Sequence, residues 1–208
     1  GIKAAESLLL MGPDAVDPVR RAVAKGDAAV KPGAAWVLGK LGNGADVGTL
    51  LSAAAERPNG SRLETFFEAA YELDPVACKR WLFGFLSLDR PVFRARATEF
   101  LAGILTPEDR PKIDGLLRAP GKQHGVRMAG LELLSRSRAT DAADRLVVAL
   151  GDPHPDVARR AAQLLAGLDD PTIAARLNAL VRDGDARDRS YAMLSLVERC
   201  RRSRANAF

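Results

Sequence analysis

Val157-Ala-Arg-Arg-Ala161-Ala-Gln-Leu164-Leu165-Ala-Gly-Leu168 is the stretch that decides the fold. With Ala161 as position zero, apolar or small residues fall at −4, 0, +3, +4 and +7, one stripe of a helix with 3.6 residues per turn. The stripe recurs as Val30, Ala34, Val37, Leu38, Leu41, and as Phe93, Ala97, Phe100, Leu101, Ile104. It returns as Val126, Gly130, Leu133, Leu134, and as Ala186, Ser190, Met193, Leu194, Val197. A first copy keeps Ala4, Leu8 and Met11, and a weaker one runs Phe66, Ala69, Ala70, Leu73. The zero positions 4, 34, 66, 97, 130, 161 and 190 are spaced by 29 to 33 residues. So even a spacing over seven copies marks an internal repeat.

Between copies lie second amphipathic segments, at 14–25, 45–56, 75–88, 107–118, 140–150 and 171–182. Pro75, Pro107 and Pro171 stand near three of their starts, where a missing N–H costs nothing, and Asp or Thr before each is a suitable N-cap. Gly42-Asn43-Gly44 and Asp152-Pro153-His154-Pro155 supply helix stops. The unit is therefore two antiparallel helices that bury their stripes only by stacking on neighbours. The reading is all-α: one elongated α-solenoid domain over 1–208, about six helix pairs behind a leading unpaired helix. Its first residue is Gly1 with helical periodicity from Ile2, which reads as a piece of a longer protein. The bare stripe of the opening helix then predicts further repeats, a cap, or end-to-end contact between copies.

Composition agrees. The 208 residues are 47% hydrophobic and 27% charged, with only 5% aromatic, as a helix-rich water-soluble chain would be. No apolar run reaches the roughly 18 residues of a membrane span, so no membrane partner and a cytoplasmic location are expected. Two cysteines and two histidines exclude a disulfide framework and a Cys/His zinc site.

The pattern Asp-x-x-Val-Lys/Arg-x-x-Ala-Ala-x-x-Leu-Gly-x-Leu resembles the HEAT-repeat family, in particular its short bacterial phycobilisome-lyase-type branch. The matching residues are Asp27, Val30, Lys31, Ala34, Ala35, Leu38, Gly39, Leu41, and Asp152, Val157, Ala161, Ala162, Leu165, Gly167, Leu168. Ala158 stands where the family has Arg, and Phe66 where it has a small residue. The resemblance implies a right-handed solenoid with its second helices lining the concave side. It also implies a structural ladder in which the base at −3 (Lys31, Arg94, Arg127 or Arg187) pairs with an Asp of its own or a neighbouring turn, with Asp27, Asp89 and Asp185 placed to do so.

On those second helices the positions +2 and +5 point away from the stripe. The +2 column reads Glu6, Trp36, Glu68, Glu99, Glu132, Gln163, Ala192, and the +5 column is mostly small apart from Leu9 and Tyr71. Arg96–Glu99 and Lys3–Glu6 are i, i+3 neighbours able to neutralise one another. Eight of eleven aromatic residues lie between Phe66 and Phe100, which points to a thicker core there around Phe93 and Phe100. A net charge of +5 and a pI near 9.6 invite nucleic acid, but a glutamate column opposes phosphate, and the excess charge sits in Arg199, Arg201, Arg202 and Arg204.

No catalytic constellation emerges. There is no Gly-x-Ser-x-Gly or His-Glu-x-x-His motif, and Gly33–Lys40 has the wrong spacing for a phosphate loop. Asn59-Gly60-Ser61 fits a glycosylation acceptor, though a turn accounts for it equally. The expected function is a non-enzymatic scaffold without catalytic residues, metal or cofactor. It receives a protein or peptide, basic or amphipathic, on Glu6, Trp36, Glu68, Tyr71, Glu99 and Glu132. The alternative is a HEAT-like protein similar to alkyl-base DNA glycosylases, with Trp81 and Asp89 as the nearest Trp–Asp pair, or to a bilin lyase.

Overall fold

The computed structural model describes residues 2–57, 62–137 and 139–205, and among them every regular element is helical. The helices are α1 (Ile2–Leu10), α2 (Val16–Lys25), α3 (Lys31–Leu41), α4 (Val47–Ala55), α5 (Leu63–Leu73), α6 (Pro75–Phe85) and α7 (Pro91–Gly103). They continue as α8 (Arg110–Leu117), α9 (His124–Arg136), α10 (Ala142–Val148), α11 (Pro155–Gly167), α12 (Thr172–Asp183) and α13 (Ala186–Ala205). The odd-numbered helices carry the repeated stripe, and the even-numbered ones fill the intervening segments. The Asn59-Gly60-Ser61 acceptor lies outside the described residues.

Local chemistry sets the boundaries. Asp74 Oδ1 accepts the N–H groups of Val76 and Ala77 at 3.0 and 2.9 Å and so caps α6, with Pro75 in the first turn. Asp170 Oδ1 accepts the N–H and hydroxyl of Thr172 at 2.8 Å ahead of α12. Gly42 and Gly184 end α3 and α12 by folding their N–H back onto the carbonyls of Leu38 and Leu180, at 2.7 and 2.9 Å. A Cβ at either position would stand 2.6 or 2.5 Å from that oxygen, so a side chain does not fit.

The chain divides into two compact units, Gly1–Gly103 and Ile104–Phe208. In the first, α1, α3, α5 and α7 pack in succession, α2, α4 and α6 pack in a second row, and each even helix also contacts the odd helix after it. In the second unit α9, α11 and α13 pack in succession, with α8, α10 and α12 against α9, α11 and α13. Within each unit these contacts join helices one or two places apart in the chain.

The +4 residues Leu38, Ala70, Leu101, Leu134 and Leu165 are fully buried, and so are Phe66, Leu50, Leu82, Leu146 and Leu177. A large apolar side chain removed from water contributes about 1.5–3 kcal/mol, so this line is the main source of cohesion in each unit. The aromatic concentration forms one cluster. Phe67 packs edge-on to Phe93 at 5.5 Å and against Phe100 at 5.4 Å, while Phe85 reaches both Phe93 and Trp81.

Two parts of the stripe depart from expectation. Val30 is 51% exposed because α3 begins only at Lys31, and Pro32 takes the inward place. In α13, Met193 and Val197 are 55% and 48% exposed, while Ala192 and Ser195 are fully buried. Three polar anchors set that rotation. Arg187 donates to the Asp152 carbonyl, Tyr191 to the Pro155 carbonyl at 3.3 Å, and Arg199 to the carbonyls of Leu165 and Leu168 at 3.1 and 2.8 Å. All four acceptors belong to α11 or its flanking turns, so α13 turns its 187–191–195–199 edge toward α11.

Candidate functional site

The outward row of the first unit is built by close approach of α3 and α5. A Cβ at Gly39 would lie 2.8 Å from the Ala69 Cβ and 2.9 Å from its Cα, so the two helices touch where glycine leaves space. One position on, Lys40 Nζ grips both carboxylate oxygens of Glu72 at 2.7 and 2.8 Å. These two contacts set parallel helices in register. Trp36 and Glu68 each lie one turn before the Lys40–Glu72 rung, as neighbours across the α3–α5 seam.

The +5 column, expected to point away from the stripe, is largely covered. Gly39, Ala166 and Ser195 are buried. Small residues there serve close packing between odd helices, and the Ser195 hydroxyl finds no hydrogen-bond partner among the described residues. Tyr71 is half-buried and lies edge-on to Phe100 at 6.2 Å.

The +2 column divides. Glu99 accepts from Arg96 at 3.1 Å, and the same guanidinium stands 3.7 Å from Glu64 on α5. In the second unit Glu132 is held by Arg160, which also donates to Gln163 at 3.0 Å. Ala192 is buried. Glu6 and Glu68 are exposed and have neither ion pair nor hydrogen bond among the described residues. The Lys3 side chain of the expected Lys3–Glu6 pair lies outside the described residues. Between these two carboxylates, on the middle helix of the three, Trp36 is 41% exposed.

The basic residues at −3 go to several acceptors. Arg127 makes a two-pronged pair with Asp152, 2.8 and 2.9 Å, and also donates to the carbonyls of Ala119 and Pro120. Burial pushes the Asp152 carboxyl up, but the Arg127 hydrogen bonds and the His154 N–H outweigh it and hold the group below the usual carboxylate range. Lys31 stands 3.7 Å from Glu56, while the carbonyl of Asp27 accepts the Lys31 N–H. Arg94 donates to the carbonyls of Leu86 and Leu88 at 2.9 and 2.7 Å, and Asp89 is exposed. Asp185 accepts the N–H groups of Arg187 and Asp188, both at 2.8 Å.

Sequence reasoning passed over one pairing. The rings of His124 and His154 stack at 3.8 Å and 5°, each at the start of an odd helix. Their separation of thirty residues, one repeat, was the available signal. A cleft of ≈ 350 Å³ nearby is lined by Leu117, Leu131, Val148 and Val157 together with Arg127 and Arg145, both engaged by aspartates. Trp81 sits on α6 edge-on to Phe85 at 5.3 Å, with Gly48 close against its ring.

Among the described residues no three His, Cys, Asp or Glu side chains are placed to hold a metal ion, and no helix is long and apolar enough to cross a membrane. In the C-terminal basic run Arg199 is spent on carbonyls, Arg201 pairs with Glu198 at 3.1 Å, and Arg202 and Arg204 are exposed. The chain matches no protein-family model and no curated protein sequence.

Proposed function

We propose that the chain is a non-enzymatic scaffold, an α-solenoid of the HEAT-like type that its repeat resembles, and that it receives a segment of another protein on the odd-helix face of the Gly1–Gly103 unit. One observation carries the reading: a large, partly exposed indole stands on the helix between those of Glu6 and Glu68, two carboxylates with no ion pair or hydrogen bond among the described residues. Exposed tryptophan in a polar rim is the usual composition of a binding hot spot. The packing of α1, α3, α5 and α7 in succession supports a shared surface of this kind.

The test is site-specific photo-crosslinking. A benzophenone side chain placed at Leu9 or Tyr71 should attach to a co-purifying protein. The same group at Val76, exposed on α6, should not. Attachment from position 76 alone would move the face to the even helices and defeat the proposal.

A second reading, nucleic-acid binding, draws on the exposed Arg202 and Arg204 and the net charge of +5. Gel-shift titration at two salt concentrations separates it, since phosphate contacts weaken steeply as salt rises.

A further inference from the structure

We infer that Glu6, Trp36 and Glu68 together form a receptor for an arginine side chain carried by the bound segment. The inference rests on the face proposed above and narrows it to one chemistry. Its first element is the indole. Among the described residues no ring stacks on Trp36 and no cation of the chain lies over it, so its exposed surface is open to a guest. Helical side chains lean toward the N-terminal turn, and there Gly33 leaves the surface bare: a methyl group at Gly33 would meet nothing within 4 Å. That space suits the aliphatic stem of a long side chain.

The second element is charge. Glu68 has no basic residue one turn away on its own helix, since positions 64, 65, 71 and 72 are Glu, Thr, Tyr and Glu. Lys40 is already committed to Glu72, and Arg96 to Glu64 and Glu99. Glu6, on α1 packed against α3, likewise has no ion pair or hydrogen bond among the described residues. Two carboxylates without a partner among the described residues, flanking an aromatic face, attract a cation by Coulomb and quadrupole terms acting together. A guanidinium is preferred to an ammonium. It is planar, stacks on indole, loses less hydration, and offers forked N–H donors to carboxylates on either side.

Net charge sharpens the case. At +5 the chain as a whole repels polycations, so any affinity for one must come from a local site. The experiment uses fluorescein-labelled N-acetyl octaarginine amide, followed by fluorescence anisotropy on the purified chain at 50 and 200 mM salt. Trp36→Ala should weaken binding about tenfold, and Glu6→Gln with Glu68→Gln by at least as much. Glu99→Gln, which touches a carboxylate already paired, should stay within about twofold. Octalysine should bind about threefold to tenfold more weakly than octaarginine. All of these positions are exposed, and circular dichroism confirms that each variant is folded.

Unchanged octaarginine affinity in Trp36→Ala and in the double glutamine variant overturns the inference, and so does equal affinity for octalysine. Crosslinking from positions 9 and 71 that persists beside such a result leaves the binding face standing and removes only its arginine receptor.

Discussion

In the stack of α1, α3, α5 and α7 the outward row keeps two carboxylates, Glu6 and Glu68, without counterions among the described residues. In α9, α11 and α13 the same row closes on itself. The difference lies at one position of the following repeat. Arg160, at −1 of its copy, reaches back to Glu132 and neutralises it. The −1 residue after Glu6 is Gly33, and the one after Glu68 is Arg96, which turns to Glu64 and Glu99 instead. A glutamate at +2 is thus a partnered rung or an exposed carboxylate according to its neighbour. Counting glutamates along the column cannot distinguish the two.

The largest expected effect is on the closed side. Arg127→Ala should destabilise the second unit by about 3–5 kcal/mol in urea unfolding, because it strands the Asp152 carboxylate in a pair whose side chains are only 7% and 11% exposed. Acid should act through the same pair. Asp152 titrates lower in the folded chain than unfolded, so its stabilisation is fully present above the unfolded value of about 3.9 and is lost as pH falls through the folded value. Asp46 behaves alike, since the Arg20 hydrogen bonds and the Asn43 N–H outweigh its burial. Urea midpoints at pH 7, 5 and 3 should therefore decline mainly over the last interval, and Asp152→Asn should be weaker at pH 7 with a shallower acid limb.

Gly39→Ala should cost about 1–3 kcal/mol by wedging α3 from α5, whereas Gly33→Ala in the same helix should stabilise by about 0.5–1 kcal/mol, because its site is open. Opposite signs from two Gly→Ala changes six residues apart would confirm that packing, not propensity, rules this seam. Arg160→Gly copies the residue at position 33 and should cost about 1–2 kcal/mol, the helix-interior glycine penalty plus the loss of an ion pair whose Arg160 side chain is 40% exposed. It should also free Glu132 and raise octaarginine binding at the second unit slightly. No gain would show that a free carboxylate without an indole is not enough.

The helix order was legible because a five-point stripe recurring every 29 to 33 residues leaves little freedom in where helices start and stop. Asp74-Pro75 marked a boundary to the residue, since capping is local chemistry. The rotation of α13 was not legible. Met193 and Val197 satisfy the stripe, but Arg187, Tyr191 and Arg199 reach carbonyls on and around α11, and carbonyl positions are not written in side-chain identity. For the candidate site, the sequence named Trp36 and the column but not its division. Which glutamate is neutralised depends on cross-helix reach, and Arg96 and Arg160 share one repeat position yet choose different partners.

The two thiols differ in a way that turns the molecule into its own clock. Cys78 is buried in α6 with its Sγ 3.8 Å from the Phe67 carbonyl, and burial pushes the thiol up to about 12, whereas Cys200 is exposed. Thiolate is the reactive form, so an aromatic disulfide reagent should titrate one equivalent at once and the second only when the ring cluster around Phe67 parts. The lag between the two equivalents times the opening of that cluster, with no residue substituted.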